Sequence, residues 1–107
     1  TKLMRFLRTI ESKYNATNQY HNNIHAADVL QTVHALLQMG CDKLTGPSFE
    51  MTYAMLVAAV IHDINHPGRN NAFQIRTNSS IALDYNDISV LENMHVSEAF
   101  KLLMGSG

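Results

Sequence analysis

The run Met55-Leu-Val-Ala-Ala-Val-Ile61 is apolar, free of helix breakers, and leads straight into His62-Asp63-Ile64-Asn65-His66-Pro67-Gly68. No other stretch constrains the fold as much. A helix that is apolar around much of its circumference belongs in a core. Ser48 can cap it, with Met51 and Thr52 in its first turn, and Pro67-Gly68 then stops regular structure. The pattern predicts a central, most buried helix that delivers an adjacent His-Asp pair from its buried end. Imidazole suits zinc, and a carboxylate can bridge two metals.

A His-Asp dipeptide alone says little; its weight comes from Tyr20-His21-Asn22-Asn23-Ile24-His25-Ala26-Ala27-Asp28 upstream. His21 and His25 are four apart, so a helix would place both on one face, one turn apart. One imidazole could then hold a metal while the other offers a proton beside it. Singly, each histidine reads as a polar residue at a helix edge. Together, His21, His25, His62, Asp63 and His66 point to a metal-assisted site. Of the six histidines, only His34 stands apart from these clusters and from Glu92-Asn93-Met94-His95, and it reads as structural.

Bulk properties remove several function classes. With 107 residues, 46% of them apolar, the chain suffices for one small domain at most. Eight Lys and Arg against nine Asp and Glu give a net charge of -1, which argues against generic nucleic-acid binding. Lys2, Arg5, Arg8 and Lys13 sit at roughly helical spacing with Glu11 and read as a solvated helix face. Cys41 is the single cysteine, so an intrachain disulfide is impossible, which fits a reducing compartment. No apolar run reaches the roughly 20 residues of a membrane span, and the start lacks a signal-peptide pattern. The expected setting is intracellular and cytoplasmic, with no membrane segment in this chain.

The rest of the chain reads as helices and turns. Leu3, Phe6, Leu7, Ile10 and Tyr14 mark an amphipathic helix over 2–14 that begins without a cap. Asn15 to Asn18 form a polar break. Ile24, Ala27, Leu30, Val33 (or His34) and Leu37 continue an apolar stripe over 21–39, with Gly40 as its stop. Thr45-Gly46-Pro47-Ser48 reads as a loop. Asn70 to Arg76 predicts a short helix, Ser79 or Ser80 can cap another over 81–85, and Asn86-Asp87 is turn chemistry. Ser89-Val90-Leu91-Glu92 matches the S-x-x-E capping box and opens a last helix to about 104. Gly105-Ser106-Gly107 reads either as a C-cap with a tail or as a linker at a truncation point. Strand patterns are slight, so the fold class is all-α.

Three stretches, Tyr20 to Val29, His62 to Gly68 and Tyr85-Asn86-Asp87-Ile88-Ser89-Val90-Leu91-Glu92-Asn93, closely resemble the class I cyclic-nucleotide phosphodiesterases in order, separation and flanking residues, from about 6 to 103. The resemblance implies an all-α, multi-helix bundle and metal-dependent hydrolysis of the 3′,5′-cyclic phosphate of cAMP or cGMP to the 5′-monophosphate. It implies that His25, His62 and Asp63 ligate zinc, and that Asp63 bridges to a second metal, magnesium or manganese. His21 would be the general acid that protonates the departing 3′ oxygen, helped by a neighbouring carboxylate. His66 and Glu92 would hydrogen-bond to the metal-bound groups, with His95 a lesser candidate for the same task. Tyr20 would line the substrate pocket. The capping box by itself would also account for Glu92.

The family's catalytic domain is longer than this chain. The resemblance therefore implies that 1–107 is a partial catalytic domain, incomplete on its C-terminal side. A further zinc-ligating aspartate, the purine-gripping glutamine and the stacking aromatic would lie outside it. Met94 stands where the family commonly has histidine, and Asn65 where several branches have an acidic residue. The isolated chain is expected to be inactive or weakly active, and to self-associate through apolar helix faces left uncovered. The alternatives are a His-Asp-type phosphohydrolase of another nucleotide, or a non-catalytic metal-binding helical module.

Overall fold

A computed structural model describes residues 1–44, 46 and 48–105; the loop and tail assignments made for Thr45, Pro47, Ser106 and Gly107 lie outside these. Among the described residues six α-helices follow one another: α1 Lys2–Lys13, α2 Asn23–Gln38, α3 Phe49–Ile61, α4 Asn71–Arg76, α5 Ser80–Asp84 and α6 Val90–Leu103, with a 3₁₀ segment Cys41–Leu44 between α2 and α3. No strand occurs among the described residues, and the all-α expectation holds. None of the helices is long and apolar enough to cross a membrane.

Short polar side chains set the helix starts by accepting first-turn amides that have no partner within the helix. Ser48 Oγ accepts from Met51 N–H at 3.0 Å and Ser79 Oγ from Ala82 N–H at 3.3 Å, as expected. Asn70 does the same for α4 through Phe73 N–H. Two starts differ from expectation. Thr1 does cap α1, its hydroxyl accepting from Met4 N–H at 3.3 Å. The α2 start falls two residues later than predicted, because Asn22 Oδ1 accepts from the amides of Ile24 and His25. Gly40, at φ +90°, follows the C-cap Met39, as expected for a helix stop.

The core lies where α1, α2, the turn after α3, and α6 meet. Ile10, Tyr14, Ala26, Ile64 and Ala99 form its buried centre, with Phe6, Val60, Ile61 and Leu102 packed against it. The α1 stripe is therefore as predicted. The expectation for α3 is not met: only Ala59 of this helix is buried, and Phe49 is 80% exposed. Apolar composition asks for cover, but α3 packs chiefly on α2 and only lightly on α6, so much of its apolar side is at most half-buried. Burial concentrates instead on α6, at Val90, Leu91, Met94, His95 and Ala99. The α2 stripe is likewise only partly used, since Ile24 is 74% exposed while Ala26 is buried.

The capping box at Ser89 does not form. Ser89 adopts φ +40°, and its side chain makes no capping bond. Asn71 takes over from α4: its Oδ1 accepts from Leu91 N–H at 2.9 Å, and its Nδ2 donates to Glu92 Oε2 at 3.0 Å. The turn before α6 uses Asn86 and Asp87 at positive φ, a region that short polar side chains tolerate.

Candidate metal centre

Three consecutive carbonyls at the end of α3 lack a helical partner, and the segment that follows is built around them. His62 Nδ1 donates to Ala59 O at 2.9 Å, the Tyr14 hydroxyl donates to Val60 O at 2.9 Å, and Ile64 N–H donates to Ile61 O at 3.1 Å. Asn65 at φ +61° and Gly68 at φ +78° bend the chain back. His66 N–H closes the turn on Asp63 O at 3.1 Å. This local folding puts Ile64 into the core and turns Asp63 the other way, towards the histidines.

His25, His62 and Asp63 converge. Their facing atoms are separated by 3.2 Å between the two Nε2 atoms, 3.1 Å from His62 Nε2 to Asp63 Oδ2, and 3.5 Å from His25 Nε2 to Asp63 Oδ2. Tetrahedral zinc with bonds near 2.0–2.2 Å would set its donors about 3.3–3.6 Å apart, within a few tenths of an ångström of these separations. The trio fits that spacing. The tautomer fits as well: with Nδ1 of His62 committed to a carbonyl, its Nε2 is left with a bare lone pair. Lone pairs and a carboxylate aimed at one point repel unless a cation or proton lies between them.

A second trio, Asp63, His66 and His95, backs the first and shares its carboxylate. His95 Nδ1 donates to Ile64 O at 2.6 Å, and its Nε2 lies 3.7 Å from Asp63 Oδ1. His66 Nδ1 accepts from Gly68 N–H at 2.9 Å. Burial holds the pKa of both His66 and His95 below the usual imidazole range, with a further depression of His66 from the His21 charge. Glu92 is held below the usual carboxylate range, first by the Asn71 hydrogen bond and less by the facing His95 and His66.

His21 precedes the N-cap of α2, so it does not share a helix face with His25 as expected. It reaches the site from the loop. Its ring stacks on His66 at 3.9 Å and 7°, and lies edge-on to His25 at 6.1 Å. No carboxylate pairs with the His21 ring among the described residues; the neighbour is the ring of His66. Asn18 ties the two loops together, its Nδ2 donating to His21 O and to His66 O, each at 2.9 Å. Gly68 leaves room for this bridge, because a Cβ there would lie 2.7 Å from Asn18 Oδ1. Tyr20 is exposed and packs on His25 at 4.4 Å. Tyr20, His21, Pro67 and Arg69 line part of an open cleft of about 480 Å³.

All seven residues singled out from the sequence thus lie in or beside one site, with Glu92 at its margin. His95, rated below Glu92, is the more central of the two. Tyr14 and Asn18, read only as a stripe member and part of a polar break, are structural partners of the site. The position of Tyr14 at the end of an apolar stripe was the one available hint, since a buried hydroxyl needs a partner.

The 3′5′-cyclic nucleotide phosphodiesterase family matches residues 20–107, which include all of these side chains except Tyr14 and Asn18. The chain belongs to that family. Rat 3′,5′-cyclic-AMP phosphodiesterase 4C is 48% identical over 103 residues, covering 96% of this chain and 19% of the rat protein. The Dictyostelium discoideum 3′,5′-cyclic-nucleotide phosphodiesterase regA is 44% identical over 107 residues, covering 98% of this chain and 13% of that protein. The phosphodiesterase domain of the RhoPDE fusion protein of the choanoflagellate Salpingoeca rosetta superposes with a TM-score of 0.84 at 44% identity. It covers 95% of this chain and 31% of that one. This family member therefore spans less than a third of the length of each of these relatives.

Proposed function

We propose that this chain is the metal-binding part of a catalytic domain that hydrolyses cAMP or cGMP to the 5′-monophosphate. The observation that supports this best is the convergence of His25, His62 and Asp63 on one point at 3.1–3.5 Å, with His21 edge-on to His25. In this reading, His25, His62 and Asp63 would hold zinc, and Asp63 would also serve a second ion, magnesium or manganese. When bound, the two metals supply Lewis-acid activation of water and neutralise phosphoryl charge.

The side chains do the rest. His21 donates a proton to the departing 3′ oxygen, which is a poor leaving group as an alkoxide. His66, whose pKa burial lowers, stacks its ring on that of His21. His95 and His66 border Asp63, and Glu92, ionised and held by Asn71, adds negative charge behind them. Tyr20 walls the substrate pocket over His25.

The test is incubation of cAMP and of cGMP with the protein carrying this chain, in zinc and magnesium, with products separated. Formation of the 5′-monophosphate is the expected result. Cleavage of other phosphoesters with both cyclic nucleotides left intact would sink the substrate class.

The 107-residue chain alone is read as weakly active at most, and as self-associating. Phe49, Tyr53, Phe100, Leu103 and Met104 are exposed on or at the ends of α3 and α6, and large apolar side chains exposed in this way favour association with a second copy. Light scattering over a concentration series should give a mass above 12.0 kDa that rises with concentration. A constant monomer mass throughout would remove this part of the proposal.

A further inference from the structure

The geometry points to Tyr14 as a positioning residue for the metal centre: its hydroxyl clamps the turn that presents His62 and Asp63. This inference rests on the metal-centre reading given above. Tyr14 is buried in the core cluster with Ile10, Ala26, Ile64 and Ala99, and its phenol oxygen makes two hydrogen bonds. It donates to Val60 O at 2.9 Å and accepts from Asp63 N–H at 3.3 Å. These partners lie 46 and 49 residues away in the chain, on either side of Ile61 and His62.

The neighbouring carbonyls show why this contact matters. Ala59 O is taken by the His62 ring and Ile61 O by Ile64 N–H, both from within the same segment. Only Val60 O depends on a distant helix. The same oxygen that satisfies it also fixes the amide of Asp63, the residue whose carboxylate faces His25, His62 and His95. Through one oxygen atom, the residue that caps α1 thereby ties the end of α3 to the amide of Asp63.

Loss of an outer partner that orients metal ligands typically weakens metal affinity about 10–100-fold. Tyr14→Phe keeps the ring and removes only the hydroxyl, so it is expected to weaken zinc binding by roughly tenfold. Ile10→Val, in the same cluster, removes one methylene with no polar group and is expected to leave zinc affinity within about twofold. Competition of the metal-free chain against a chromogenic chelator, with zinc alone as the probe, reads both. His25→Ala is the reference that must weaken binding far more.

Tyr14→Phe within twofold of the unmodified chain would overturn the inference, and so would equal weakening by Ile10→Val. If His25→Ala binds zinc as well as the unmodified chain, the metal-centre reading fails, whatever Tyr14 does. Should Tyr14→Phe not fold, amide exchange in the unmodified, zinc-free chain decides. Protection of Asp63 N–H comparable to core helical amides supports the clamp, and exchange at the rate of an unpaired amide overturns it.

Discussion

Cyclic-nucleotide turnover should fall by about 10²–10⁴-fold in His21→Ala, the usual contribution of a positioned general acid, while zinc affinity stays the same. Two placements make these effects separable. His21 stands outside the His25, His62 and Asp63 trio, its ring 6.1 Å from that of His25. It is held through the chain by Asn18, which bonds its carbonyl, so removal of the ring leaves the loop tied down. The loss should appear in kcat rather than KM, because proton donation to the departing oxygen occurs only in the transition state. Steady-state kinetics of the protein carrying this chain, together with a zinc titration, provide the check. Turnover insensitive to His21→Ala would remove the acid role. A parallel loss of zinc would mean that the ring supports the trio instead.

Ile64→Ala should destabilise the chain by about 2–5 kcal/mol, the range for truncating a buried aliphatic side chain to alanine. Ile64 is 0% exposed and is the side chain that anchors the turn carrying His62 and Asp63 in the core. Its carbonyl also accepts the His95 Nδ1 proton at 2.6 Å, so a shift of this residue moves the ring that faces Asp63. Small domains are stable by only about 5–15 kcal/mol, and a chain this short, with only Ala59 of α3 fully buried, belongs at the low end. Urea denaturation should therefore show a large drop in midpoint, with Ile64→Val costing only about 0.5–1.5 kcal/mol. A loss below about 1 kcal/mol for the alanine variant would mean that the turn is not seated by its side chain.

The two effects mark the division between what could be read in advance and what could not. Helix positions were legible because caps and periodicity act within four residues: Ser48, Ser79 and Gly40 sit where expected. The exceptions have local physical causes that a pattern match overlooks. Asn22 captures two amides and starts α2 past His21. Ser89 turns left-handed, and its capping task passes to Asn71 from another helix.

The sequence by itself determined the helical class, the family, and the set of titratable side chains available for the chemistry. Those follow from residue type and spacing, which do not depend on distant parts of the chain. Only the tertiary structure decided which apolar faces are covered, with α6 rather than α3 taking the buried place. It also decided that His95 and Tyr14 reach the turn carrying His62 and Asp63 from 31 and 49 residues away. The physical reason is that burial and long-range hydrogen bonds are settled jointly by all packed elements. A buried carbonyl or hydroxyl requires a partner, but nothing in its own neighbourhood says from which helix that partner will come.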